Sequence, residues 1–125
     1  MPHRKGSQAD KLYLVTRADL PPAVQACQVA HAALRFAIIF PAITAAWQRD
    51  SGTLAMLVAP DELALGWLHT DAVLAGLHAV SFHEPDLDGA LTAVAFESAA
   101  RYLLRRLPTA TPPAVTSSDR EEVTL

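Results

Sequence analysis

Leu12-Tyr13-Leu14-Val15-Thr16-Arg17-Ala18-Asp19-Leu20-Pro21-Pro22 decides the architecture of this chain. Its first five residues are strand formers and almost wholly apolar. Asp19 to Pro22 then reads as a turn and a helix start, because proline fits the first helical turn. A strand that feeds straight into a helix begins an α/β unit. The helix is predicted over 22–40, and Pro41 ends it. Inside it lies Gln25-Ala26-Cys27-Gln28-Val29-Ala30-His31-Ala32-Ala33. Gln28 and His31 are three residues apart and project from one helix face. An apolar helix has no need of an amide and an imidazole on one stripe unless something meets them there.

The rest of the chain continues the alternation. A second short helix is expected over 42–49. Ser51-Gly52 leads into a strand at 53–59, Thr-Leu-Ala-Met-Leu-Val-Ala. Pro60-Asp61-Glu62 opens a helix running to about Ala75, with acidic residues in the first turn where the helix dipole favours them. Gly76 ends it. Strands are expected at 79–82 and 91–96, followed by a helix at 98–107. Three of the strands are apolar almost throughout, which marks a sheet covered on both faces. About eight residues join the last two strands, too few for a parallel crossover, so that pair is antiparallel. The prediction is a three-layer α/β/α sandwich with a mixed four-stranded sheet.

The 125 residues suffice for one domain with a sizeable core. A formal charge of −3 argues against a strong nonspecific nucleic-acid binder, which is usually basic. The single cysteine, Cys27, rules out an intramolecular disulfide and a cysteine-based zinc site, and it reads as a small core residue. Residues 1–10 lack the apolar stretch of a signal peptide. The apolar region 29–47 is interrupted by His31, Arg35 and Pro41, so a buried core helix is expected rather than a membrane span. A cytoplasmic protein without membrane contact is the simplest expectation. Residues 1–9 read as a flexible polar segment. Residues 108–125 read as a disordered acidic tail rich in Pro, Ser and Thr. That leaves 10–107 as the folded domain.

In open α/β folds, ligands collect beyond the carboxyl ends of strands. The first strand ends at Thr16-Arg17-Ala18-Asp19 and the third at His83-Glu84-Pro85-Asp86. One pocket holding Arg17, Asp19, Gln28, His31, Glu84 and Asp86 is therefore expected. An imidazole near carboxylates suits general acid–base work, because its pKa is already close to neutral. Plainer readings compete. His31 fits a core histidine bonded to a backbone carbonyl, Gln25 and Gln28 fit the lining of a solvated groove, and residues 83–89 fit an acidic turn. His69, His78 and His83 lack metal-ligand spacing, and no metal site is expected. Arg101, Arg105 and Arg106 read as a solvated helix face. Phe36, Ile39 and Phe40 offer an apolar surface that core burial or a homodimer would explain.

Four features, in order, resemble the type II peptidyl-tRNA hydrolase family. Lys11 to Leu20 resembles the family's opening strand and Arg-x-Asp-Leu turn. Ala26-Cys27-Gln28-Val29-Ala30-His31-Ala32 matches its Ala-x-Gln-x-Ala-His-Ala helix. Trp47, Gly52 and the strand 53–59 match its tryptophan, glycine and second strand. Gly89-x-x-Thr92-x-Val94 resembles the start of its last strand. The resemblance covers about residues 11–97. It implies a three-layer fold and hydrolysis of the ester joining a peptide to the 3′ end of tRNA, with no required cofactor. Gln28 and His31 carry over as matched site residues, with Arg17 and Asp19 as weaker support.

The chain also departs from that family. Val24 stands where the family helix has a lysine, four residues before the glutamine. The family's Asp-x-Gly-Arg-Thr-Gln segment, which bears a catalytic aspartate and threonine, is replaced by Val80-Ser81-Phe82-His83-Glu84-Pro85. Two readings follow. In the first, the chain hydrolyses a peptidyl or aminoacyl ester of tRNA. Glu84 or Asp86 activates water, His31 orients or protonates, Gln28 holds the acyl or ribose end, and Arg17, Asp19 and Arg35 bind substrate. In the second, it is a noncatalytic binding module for a nucleotide, an RNA end or a protein partner.

Overall fold

The computed structural model describes residues 10–110. The expected flexible segment 1–9 and all but the first three residues of the expected tail lie outside the described residues. Four strands and four helices follow in the order β1 (Lys11–Arg17), α1 (Pro22–Ile39), α2 (Pro41–Asp50), β2 (Thr53–Ala59), α3 (Glu62–Leu74), β3 (Ala79–Glu84), β4 (Ala90–Phe96) and α4 (Arg101–Leu104). The sheet runs β2-β1-β4-β3. β1 and β2 are parallel, while β4 is antiparallel to both β1 and β3. The mixed four-stranded α/β sheet is as the sequence predicts.

Each face of the sheet has its own core. Leu12, Leu14, Val80, Phe82, Ala93 and Ala95 pack under Val29, Ala32 and Phe36 of α1, with Trp47 and Ile43 of α2 at the margin. On the other face, Val15, Leu57, Ala59, Val94 and Phe96 pack under Leu65 and Ala72 of α3 and Leu104 of α4. Successive strand residues point to opposite faces, so Leu14 goes to α1 and Val15 to α3. Both faces of the sheet are covered, which is why these strands read as nearly continuous apolar runs.

Local signals place the helix ends. Pro22 starts α1. Pro41 starts α2, and the chain bends by 110° between the two helices. Among the described residues no single helix is long and apolar enough to cross a membrane. Asp61 caps α3 by accepting from the Ala64 amide at 2.9 Å, which satisfies one of the four orphan donors of that terminus. Gly76 follows α3 at φ +76°, a left-handed conformation that favours glycine.

The structure corrects three boundaries. β3 runs two residues past Phe82, so His83 and Glu84 belong to the strand and alternate across it. The last helix is short: a 3₁₀ turn at Ser98–Ala100 leads into α4, which stops at Leu104. The chain must turn there, because residues 108–110 return along the free edge of β2. Val58 donates to the Pro108 carbonyl at 3.1 Å and Ala110 donates to that of Met56 at 2.9 Å. Residues 108–110 thus cover an edge that would otherwise be open to pairing.

Candidate functional site

Thr92 is the residue on which the site is built. In β4, Ala93 pairs with Phe82 and Leu91 with His83, so Thr92 has no residue opposite it in β3. This is a β-bulge: two residues of one strand face one of the other. Strict alternation would place Thr92 with Val94 and Phe96 under α3. The bulge instead turns its side chain to the α1 face, where its hydroxyl reaches Gln28 Oε1 at 2.6 Å. The Thr92 carbonyl accepts from the Thr16 hydroxyl at 2.8 Å. Both threonines are fully buried.

Gln28 is 3% exposed, and both ends of its amide are engaged. Nε2 donates to Glu84 Oε1 at 3.0 Å. The polarity of the chain is forced. An ionised carboxylate only accepts, so the amide nitrogen faces Glu84, its oxygen faces Thr92, and the threonine hydroxyl donates. The other Glu84 oxygen accepts from the Asp86 amide at 3.3 Å. The Gln28 hydrogen bond above all, then that amide and the nearby His31, hold the Glu84 carboxyl below its ordinary range. A pinned, ionised carboxylate therefore stands at the end of β3, half-buried beside an imidazole.

That imidazole is not in the core. His31 is exposed, and its ring stacks on Phe82 with centroids 4.5 Å apart and planes 7° from parallel. The stack holds the ring over Phe82 of β3, the strand at the edge of the sheet. Val24, Gln28, His31 and Arg35 form one stripe along α1, at the margin of its buried face. Arg35 is exposed one turn beyond His31. Val24 is half-buried at the other end.

Arg17 and Asp19 do not join this group. Arg17 follows Thr16, so its side chain lies on the α3 face. Nε donates to Asp19 Oδ1 at 2.9 Å, and the two terminal nitrogens reach Asp19 Oδ2 at 3.0 Å and the Leu91 carbonyl at 3.2 Å. Glu62 of α3 lies 4.0 Å away and accepts from the Leu91 amide at 2.8 Å. The Arg17 hydrogen bond holds the Asp19 carboxyl below its ordinary range and raises the guanidinium above its own. The single expected pocket is thus two clusters on opposite faces of one sheet end: Gln28, His31 and Glu84 with Arg35, and Arg17 and Asp19 with Glu62. Asp86 joins the first through its backbone N–H, while its exposed carboxylate makes no hydrogen bond among the described residues.

Other assignments shift as well. Gln25 is buried, and its Nε2 donates to the Arg17 and Leu20 carbonyls at 3.1 and 2.8 Å, tying β1 to the start of α1. Neither glutamine lines a solvated groove. Cys27 is exposed rather than packed in the core. Phe36 is fully buried and Phe40 partly so, so core packing accounts for those two, while Ile39 stays exposed beside Ile38 and Leu34. Burial, with His83 nearby, lowers the pKa of His69. Among the described residues no group of histidine, cysteine and carboxylate side chains is arranged to hold a metal ion.

Sequence reasoning passed over the buried threonines as site residues. Their signal was a single threonine in each of two largely apolar strands, but the bulge that aims Thr92 is a feature of pairing. Two clefts on the surface lie away from His31. One of about 480 Å³ sits at the far end of β1 around Tyr13, Trp47 and Arg101. The other, of about 490 Å³, lies on α3. Comparison with models of protein families finds no match to this chain, and a search of curated proteins finds none either.

Proposed function

We propose that this chain is a divergent hydrolase of the peptidyl-tRNA hydrolase type, cleaving the ester between a peptidyl or aminoacyl group and tRNA. One observation carries the reading: the Gln28 amide spans Thr92 and Glu84 and so pins an ionised carboxylate beside the exposed His31 ring. Glu84 is a weak base, because its proton affinity is lowered and both its oxygens already accept hydrogen bonds. His31 is the better acceptor of a proton from water. In this scheme water attacks the ester carbonyl as His31 takes its proton. The imidazolium, stabilised by Glu84, returns that proton to the leaving ribose oxygen. The products are the free acid and the tRNA 3′ hydroxyl. Gln28 is a positioning residue here rather than a substrate ligand. Arg35 is the cation best placed to meet a phosphate.

Val24 and the position of both clefts away from His31 favour a second reading, a binding module on the same fold. Release of N-acetylaminoacyl groups from charged tRNA separates the two. The hydrolase reading expects turnover by the wild type and a loss of about a hundredfold or more in His31→Ala. His31 is exposed, so that variant should keep its fold, with unfolding within about 1 kcal/mol of wild type. No release above background by a folded wild type would sink the hydrolase and leave the binding module.

A further inference from the structure

α3 is apolar on both sides. Leu65 and Ala72 are fully buried against the sheet, yet Leu63, Trp67 and Leu74 on the outer side are 72%, 62% and 81% exposed. Successive steps of about 100° per residue put Leu63, Trp67, Thr70 and Leu74 on one outward stripe. The stripe itself carries no charge. An ordinary surface helix is polar on this side, and a large exposed apolar patch marks an interaction site.

The stripe also has relief. Gly66 opens a hollow of about 490 Å³, lined by Glu62, Leu63, Trp67, Thr70 and Leu91. A Cβ on Gly66 would meet only Leu91 Cδ2, at 3.8 Å, so the hollow has room for it. The largest knob on the face, Trp67, is the next residue along. A patch carrying both a projecting indole and an adjoining hollow is self-complementary. A twofold axis requires this, since the same surface must serve both partners.

We propose that α3 pairs with α3 of a second copy of this chain, around a twofold axis beside Gly66, with each Trp67 entering the hollow of the other. Side chains of this size and exposure present on the order of 150 Å² each. Leu63, Trp67 and Leu74 thus supply roughly half of the ~800 Å² that each partner of a stable pair buries. Glycine at the crossing lets the two helices approach closely. The tail is the other candidate cover. Its residues 111–125 include Asp119, Arg120, Glu121 and Glu122, which suit an uncharged stripe poorly.

Sedimentation of the full chain over a wide concentration range tests this independently of any hydrolase activity. The wild type should be a dimer at micromolar concentrations. Trp67→Glu should weaken association about thirtyfold or more. Gly66→Ala is the sharper probe: it raises helix propensity and meets no clash within the protomer. It should therefore leave the unfolding temperature equal or higher while loosening the dimer by partly filling the hollow. A wild type that stays monomeric throughout would overturn the proposal, as would a dimer indifferent to both substitutions. Shielding of Trp67 from a fluorescence quencher in a monomer would give the stripe to the tail.

Discussion

Thr16 and Arg17 are neighbours at the end of β1, and they serve two unlike clusters. Thr16 points to α1, where buried neutral groups form a chain: its own hydroxyl to the Thr92 carbonyl, the Thr92 hydroxyl to Gln28, and Gln28 to Glu84. Arg17 points to α3, where charge meets charge at the surface in a two-pronged contact with Asp19. Each cluster holds a carboxylate below its ordinary range, but by different means. Glu84 owes most to a neutral amide and Asp19 most to a guanidinium. The first arrangement leaves the charge of Glu84 uncancelled by a permanent cation and available to His31. The second cancels the charge of Asp19 where it stands. One corner of the sheet thus sets its carboxylate beside an imidazole, and the other sets it against a guanidinium.

The difference predicts unequal damage. Thr92→Val preserves shape and removes the donor, leaving Gln28 Oε1 buried without a partner. An unsatisfied buried acceptor costs about 1–3 kcal/mol. Urea unfolding should record a loss of that size with an unchanged denaturant slope, because no surface is added or lost. A loss below a few tenths of a kcal/mol would mean that the amide turns to another donor and that the chain from Thr92 to Glu84 is not a unit.

How much of this was legible in the sequence follows from the same residues. The strands and α1 read correctly because their apolar runs, prolines and glycines act locally. Gln28 and His31 were singled out because helical spacing fixes which side chains share a stripe. Glu84 was placed at the end of β3, close to where it stands. The grouping of Arg17 with Gln28 failed, since facing is set by alternation along β1: one residue separates opposite sides of the sheet. Thr92 stands in the sequence as a residue of the last strand and of the Gly89-x-x-Thr92-x-Val94 resemblance but carries no site role there, because the register slip that aims it depends on a partner strand ten residues away. Composition assigns the three residues after Leu107 to the tail, because it is blind to the open edge of β2 that they cover.

Gln28→Leu tests the electrostatic half of the comparison. Glu84 loses the largest of the influences that lower its pKa and keeps the Asp86 amide and His31. Its carboxyl should rise toward the ordinary value of about 4.3, as followed by carboxyl-detected NMR titration. A carboxylate whose pKa is lower folded than unfolded adds stability above its unfolded pKa. That stability is lost as the pH falls through the folded value. Wild type should therefore lose more stability than Gln28→Leu on acidification below about pH 4.3, so that the two curves draw together. Parallel curves would break the link between the amide and the carboxylate.

The smallest effect is expected at the other corner. Asp19→Asn removes one partner of Arg17, but the guanidinium still reaches the Leu91 carbonyl, and Glu62 stays 4.0 Å away. The Asp19 side chain is 43% exposed and that of Arg17 only 14%, so water competes chiefly for the carboxylate. Exposed ion pairs are worth about 0.2–1 kcal/mol, and salt screens them. The loss should fall in that range at low ionic strength and shrink as salt is added. The Thr92→Val loss, which involves no net charge, should stay constant across the same salt series. Measuring both variants together therefore separates the clusters by mechanism as well as by size. If Asp19→Asn cost as much as Thr92→Val and ignored salt, Asp19 would be a buried structural acid, and the contrast between the two ends of the Thr16–Arg17 step would fail.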